Sequence, residues 1–170
     1  MLEERIKRNL EVLAALADNG NKSRINGDIL SQYTGWGGLR EAIFTPSVYR
    51  QLKLYLTDDE ISSIKKTLTS AYYTPELLVK FIWTTLLRMG FRKGEVLEPA
   101  IGTGIFLDNM PLKIRRASNV DAIEIDRVTC NILVNKHPEI NLISFGFNSP
   151  KLCFVIYCRN GRKQLYSQES

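Results

Sequence analysis

Glu95-Val96-Leu97-Glu98-Pro99-Ala100-Ile101-Gly102-Thr103-Gly104 is the stretch on which the reading of this 170-residue chain turns. Glu95 to Leu97 reads as a short strand, Pro99 to Gly104 as a glycine-containing loop, and Ile105 to Asn109 as the start of a helix. Gly102 and Gly104 let backbone come close to a ligand, and the next helix aims its N-terminal N–H groups the same way. A dinucleotide loop would read G-x-G-x-x-G. Here the third position is Leu107 and Pro99 lies in the turn, which disfavours a pyrophosphate-binding oxidoreductase.

Working downstream, Val120 to Ile125 reads as a strand, Arg127 to Lys136 as a helix, and Ile140 to Phe145 as a strand. Leu152 to Cys158 reads as a further strand. Strands alternating with helices predict parallel pairing in a doubly wound α/β sheet. Glu124 lies at the end of its strand, 20 residues beyond Gly104. Nucleoside-binding α/β folds place there the carboxylate that accepts the ribose hydroxyls, because one carboxylate takes two hydroxyl donors at once. The competing reading makes Glu124 or Asp126 a solvated strand-end charge.

Working upstream, Leu2, Ile6, Leu10, Leu13 and Leu16 have helical spacing, and Asn19-Gly20 is the expected stop. Residues 20–27 read as a polar loop. Tyr33-Thr34-Gly35-Trp36-Gly37-Gly38-Leu39 predicts a tight turn, since each glycine costs a helix interior about 1 kcal/mol. Either a buried Trp36 simply pins that turn, or the turn meets a ligand. Thr57 and Glu60 fit a capping box for a helix to about Leu68, with Ile61, Ile64 and Leu68 on its apolar face. Thr74-Pro75-Glu76 predicts another helix start, with Thr74 as its cap. Its expected apolar face is Leu77, Leu78, Phe81, Ile82 and Leu86, and Gly90 its end.

Taken together, Glu98-Pro99-Ala100-x-Gly102-x-Gly104-x-Phe106-Leu107 and Ala122-Ile123-Glu124-Ile125-Asp126 resemble motifs I and II of N6-adenine DNA methyltransferases. Tyr72-Tyr73-Thr74-Pro75 is similar to the cofactor motif upstream of motif I. Tyr33 to Leu39 resembles the Y-x-G-W-G-G-L stretch of large plasmid and phage methylase-helicase proteins. These matches keep the family's order over residues 30–147. The resemblance implies a Rossmann-like S-adenosylmethionine-dependent methyltransferase sheet, incomplete here, preceded by a helical N-terminal region. It implies S-adenosyl-L-methionine as cofactor and DNA as partner. Glu98, Pro99, Ala100, Gly102 and Gly104 would shape the methionine and ribose site, with Tyr73 and Thr74 closing over the methionine. Glu124 would hold the ribose and Ile125 would pack on the adenine. The region Phe145-Gly146-Phe147-Asn148 matches the family's adenine-amine contact poorly.

The resemblance also implies an Asn/Asp-Pro-Pro-aromatic motif, whose acceptors orient the target amine for in-line attack. Asn148-Ser149-Pro150 and Asn160-Gly161-Arg162 do not supply it, so no catalytic residue is assigned. The expected organisation is a helical region over 1–70, a partial cofactor domain over 71–147, and a diverged or truncated basic tail over 148–170. Three readings follow. The chain is the cofactor half of a truncated or split methyltransferase, inactive alone and completed by a second polypeptide. Or it is a non-catalytic cofactor- or DNA-binding module. Or it is a remnant of a larger methylase.

Composition sets outer bounds. A 44% hydrophobic content supports a real core, and 23 Lys and Arg against 18 Asp and Glu leave a net charge of +5. That permits a polyanionic partner without requiring one. No apolar run approaches the ~20 residues that span a bilayer, and the charged N-terminus does not read as a signal peptide. The expected location is cytoplasmic. Cys130, Cys153 and Cys158 contain no C-x-x-C pair, and His137 is the lone histidine, so no metal site is expected.

Overall fold

The computed structural model of the protein describes residues 2–18 and 25–144. The Asn19-Gly20 stop, the residues Phe145 to Asn148, the strand expected over Leu152 to Cys158, Cys153, Cys158 and the basic tail lie outside them.

The described chain is a mixed α/β structure in which helices precede a small parallel sheet. Helices come first: α1 (Leu2–Asp18), α2 (Gly27–Leu30), α3 (Arg40–Ile43), α4 (Pro46–Leu52), α5 (Asp58–Thr67) and α6 (Glu76–Arg88). Strand β1 (Glu95–Glu98) follows, then α7 (Ile105–Asp108), α8 (Leu112–Ala117), β2 (Asn119–Glu124), α9 (Arg127–Lys136) and β3 (Asn141–Ser144). The three strands are parallel in the order β1-β2-β3. Val96 lies opposite Val120 and Ala122 opposite Leu142, so β2 is the central strand.

Local chemistry explains several boundaries. Thr57 and Glu60 form the full capping box at the start of α5, with Thr57 N donating to Glu60 Oε2 at 2.8 Å. Asp126 caps α9 by accepting from Thr129 N at 3.0 Å. Gly90, at φ 90°, follows Met89, the C-cap of α6, in the left-handed conformation that ends helices.

Two expectations about α6 need correction. Thr74 does not cap it. Pro75 takes that position with extended backbone (ψ 137°), and its carbonyl accepts from Leu78 N at 2.9 Å. Pro75 itself keeps a ψ outside the helical region, so the helix begins one residue later than expected, at Glu76. The buried face also differs. Val79 and Trp83 are buried, whereas Leu77, Leu78 and Phe81 are exposed. This helix is apolar on more than one stripe, so periodicity does not select a face. The Trp83 indole does, by donating to Phe106 O at 2.8 Å. The polar loop expected over 20–27 gives way to α2 at Gly27, and the short helices α3, α4 and α8 had no clear periodic signal.

The core has two centres. One packs Ile6, Val12, Leu13, Trp36, Leu39, Ile43, Leu52, Ile61 and Ile64 against Val128 and Ile132 of α9. The other packs Val79, Trp83, Ile101, Leu107, Met110, Ile114, Val120 and Ala122 with Leu133 of α9. Helix α9 therefore stands between them and contributes to both.

Candidate functional site

The glycine turn, the Tyr72-Tyr73 segment and the loop after β1 form one unit. Tyr73 Oη accepts hydrogen bonds from Trp36 N at 3.0 Å and Gly37 N at 3.3 Å. A Cβ on Gly35 would run into the Tyr73 ring, and one on Gly37 into the Ala71 carbonyl and that same ring. The glycines are there because backbone wraps an aromatic ring closely. Across the ring, a Cβ on Gly102 would come within 3.1 Å of Tyr73 Cε1. Tyr73 thus lies between the two glycine-bearing segments. Burial holds its phenol above its ordinary pKa, so it is un-ionised at neutral pH.

Helix α1 fastens the turn from the other side. Arg5 Nη2 donates to the carbonyls of Thr34, Gly35 and Gly37 at 3.2, 3.3 and 2.9 Å. The fully buried Asn9 donates to Gly35 O at 2.9 Å and accepts from Thr34 N at 2.9 Å. A tight turn leaves several carbonyls facing inward, and these two side chains satisfy them.

Glu124, at the C-terminal end of β2, closes the loop after β1. Its Oε2 accepts from Gly102 N at 3.0 Å, and its Oε1 accepts from Ile125 N and Asp126 N, both at 2.9 Å. Burial pushes this carboxyl above the ordinary range, against the lowering effect of those backbone bonds. Glu124 is therefore not a freely solvated strand-end charge. Asp126, beside it, is buried and accepts from Ser63 Oγ at 3.0 Å and Thr129 Oγ1 at 2.5 Å. Thr129 Oγ1 in turn meets Tyr33 Oη at 2.6 Å. Burial, followed by the charge of Asp126, holds the Tyr33 phenol well above its ordinary pKa.

These elements enclose a pocket of about 170 Å³ at the C-terminal ends of β1 and β2. Of the residues singled out from sequence, Tyr73, Pro99, Ala100, Gly102, Glu124 and Ile125 line it. Thr74, Glu98 and Gly104 are not among its lining residues. Burial pushes the Glu98 carboxyl above its ordinary range. Gly104, at φ 84°, is set against α9: a Cβ there would come within 2.9 Å of His137 Nε2.

Thr67, Ser70, Ala71, Asp126 and Thr129, to which the sequence assigns no ligand role, also line the pocket, as do Trp36 of the glycine turn and Tyr72 of the cofactor-like motif. For Trp36 the two readings offered were a pinned turn or a ligand contact, and its place satisfies the first while putting it on the pocket wall. Tyr72 stands almost fully exposed at the pocket, 90% accessible, an unusual position for a large aromatic. The lining carries two carboxylates, Glu124 and Asp126, and no Lys, Arg or His among the described residues. Its electrostatics favour neutral or cationic ligand groups over phosphates.

Behind the loop a second polar cluster holds α7 to α9. Lys136 Nζ donates to Thr103 O at 3.0 Å and Asp108 Oδ2 at 2.7 Å. The buried His137 places Nε2 3.2 Å from Asp108 Oδ1 and Nδ1 2.8 Å from Arg115 Nη2, and Arg115 also pairs with Glu139. Cys130 is buried under the sheet end, donates to Glu124 O at 3.5 Å, and has its thiol pushed up to about 11 by burial. A thiol so placed is a packing residue and not a nucleophile at neutral pH. Among the described residues no three His, Cys, Asp or Glu side chains gather as metal ligands would.

Comparison with known proteins corrects the family expectation. No family model matches the chain. It is similar to the Defense against restriction protein B of Escherichia phage P1, with 26% identity over 130 residues. That match covers 76% of this chain but 4% of the phage protein, so the chain spans a small part of the relative's length. The relative is named for defence against restriction, not for methyl transfer. Membership of the N6-adenine methyltransferase family, and the reading as part of such an enzyme, are therefore withdrawn. The local motifs describe a glycine loop and a strand-end carboxylate, which many nucleoside-binding sites share, so they do not carry a reaction with them. No solved structure matches the chain. No helix among the described residues is long and apolar enough to cross a membrane.

Proposed function

We propose that this chain is a non-catalytic nucleoside-binding module serving a protein that acts in defence against restriction. The observation that carries the reading is the placement of Glu124. Its carboxylate lines a pocket at the C-terminal ends of parallel strands, beside the close-approach backbone of Gly102. Open α/β sheets bind ligands in the crevice outside those strand ends.

In this reading the sheet is one half of a Rossmann-like arrangement. Glu124 keeps acceptor capacity on Oε2 for ribose hydroxyls, since a carboxylate offers about four lone-pair sites and Gly102 N meets that oxygen. Ile125, Pro99 and Ala100 offer apolar surface to a base. S-adenosyl-L-methionine is the candidate ligand, because its sulfonium suits two carboxylates and no cation. The pocket is smaller than the ~300–1,000 Å³ of a drug-sized site, so it takes one moiety inside and leaves the rest along the open mouth beside Tyr72. Binding is the whole of the proposal. The phage relative's name supplies the restriction context, and a net charge of +5 is compatible with DNA as the partner.

The test is calorimetry with S-adenosyl-L-methionine on the wild type, Glu124→Ala and Tyr72→Ala. Loss of the ribose acceptor weakens binding about tenfold or more, as removal of charged hydrogen bonds does. Glu124 also ties down three backbone N–H groups, so its variant is melted alongside. Tyr72 is exposed and free of that complication, and its loss weakens binding about two- to tenfold. A folded wild-type chain that binds neither S-adenosyl-L-methionine nor adenosine overturns the reading.

A further inference from the structure

Helices α6 and α8 end where β1 and β2 begin, and cations gather there. Gly94 N donates to Ser118 Oγ and Gly94 O accepts from Asn119 N, both at 3.1 Å, which sets the loop before β1 against the end of α8. Arg92 Nη1 donates to Leu87 O at 2.7 Å, which sets the same loop against the end of α6. Arg88, Arg92, Lys93 and Arg116 therefore share one end of the sheet, and Lys113 stands one turn before Arg116 on α8. All five are exposed. A cation at a helix end can simply satisfy the last carbonyls, as Arg92 does. Arg88, Lys93, Lys113 and Arg116 make no ion pair or hydrogen bond among the described residues, whereas Lys53, Lys80, Lys136 and Arg115 each meet a carboxylate. The carboxylates at this end are engaged: Glu95 accepts from Asn119 Nδ2 at 2.8 Å, Asp121 from Asn141 Nδ2 at 2.9 Å, and Glu139 pairs with Arg115.

We propose that this cationic end of the sheet binds the phosphate backbone of duplex DNA without reading its sequence. The inference gives the DNA partner named above a surface, and it rests on these cations and not on the pocket. Free Arg and Lys side chains on one surface are what phosphates require. The sheet separates its charges: Glu124 and Asp126 stand at the other end of β2, whose six residues span about 20 Å, so DNA is held away from the carboxylates that would repel it. The partner is duplex because single strands are held by exposed aromatic rings, and Phe91, the aromatic of this end, packs into the core. Sequence goes unread because the surface consists of blunt helix ends and a loop, with no helix flank to enter a major groove, and the amides of Asn119 and Asn141 are already bonded. A lipid surface fits less well, since an interfacial helix lies flat with one apolar face inserted, whereas α6 and α8 meet this surface end-on.

Fluorescence anisotropy with labelled duplex DNA, on the whole chain and without S-adenosyl-L-methionine, tests the surface. Binding is expected to weaken with salt, with a log–log slope of about −3 to −5 for four or five phosphates neutralised. Two double variants are compared, Lys93→Gln with Arg116→Gln, and Lys7→Gln with Arg40→Gln. Each lowers the net charge from +5 to +3 at exposed positions, but only the first touches this surface. The first pair is expected to reduce the slope by about two and to weaken binding about 2- to 30-fold. The second is expected to bind as wild type does. Duplexes of unrelated sequence are expected to bind alike. Equal losses from the two pairs, or none from the first, place the DNA elsewhere on the chain and overturn the inference. Tighter binding of a single strand, or binding of phosphatidylserine vesicles with none of DNA, overturns it as well. Melts of both pairs are run alongside, and exposed substitutions of this kind stay within about 0.5 kcal/mol of wild type. A wild-type chain that binds S-adenosyl-L-methionine but no DNA overturns this inference alone, and one that binds DNA but no nucleoside overturns only the pocket reading.

Discussion

Asp108 shows how one side chain can hold a site together without touching it. It meets Lys136 and His137 at once, and Lys136 in turn reaches the Thr103 carbonyl of the pocket loop. Burial pushes its carboxyl up, but the neighbouring His137 and the Lys136 charge outweigh burial and hold it below the ordinary aspartate range. A carboxyl lowered in the folded state contributes stability that is present above its unfolded pKa and is lost as pH falls through the folded value. The midpoint difference between wild type and Asp108→Asn is therefore expected to be largest near neutral pH and to close below about pH 3.8. Thermal melts across that range check it, and a difference independent of pH would refute the assignment. At this scale Glu124 was readable from its distance to Gly104. Asp108 and His137 were not, because their partnership is made between α7 and α9, far apart in sequence.

Helix α6 carries the lesson at the scale of the element. Its length and its end at Gly90 follow from local signals, but its orientation does not. Leu77 is 81% and Phe81 65% exposed, while Val79 is fully buried. Trp83→Ala removes a packed ring and orphans the Phe106 carbonyl, which is expected to cost about 3–5 kcal/mol. Phe81→Ser is expected to stay within about 0.5 kcal/mol of wild type, as exposed substitutions do. Denaturant unfolding of the two variants separates them, and equal losses would show that the helix buries its other face. By contrast α5 was fully legible, because its capping box and its apolar face of Ile61, Ile64 and Leu68 agree. Where local and tertiary preferences coincide, a sequence is read correctly.

Over the whole molecule, α9 makes the helical region and the sheet dependent on each other. Its Val128 and Ile132 complete one core and its Leu133 the other, and Asp126 at its cap bonds Ser63 of α5. The N-terminal helices are thus expected to unfold with the sheet in one cooperative transition. Circular dichroism and tryptophan fluorescence, which sample different parts, should give coincident midpoints. Asp126→Ala is expected to lower that midpoint as one transition, with a loss of about 1–3 kcal/mol from the buried donors it strands. Two separated transitions would show that the regions are independent.

By itself the sequence determined that strands alternate with helices after Glu95, that the turn at Gly35 to Gly38 is tight, and that Glu124 stands at the end of the strand after the glycine loop. Each depends on contacts within a strand-loop-helix unit or on backbone conformations that few residues other than glycine adopt. Only the tertiary structure decided that Tyr73 is the post around which both glycine segments close, that Gly104 faces His137, and that the Trp36 indole is buried with its N–H unpaired. Those facts arise from segments brought together across the chain. A hydrogen bond between Trp36 and Tyr73, or the lack of one at an indole, exists only once burial has removed water as the alternative partner.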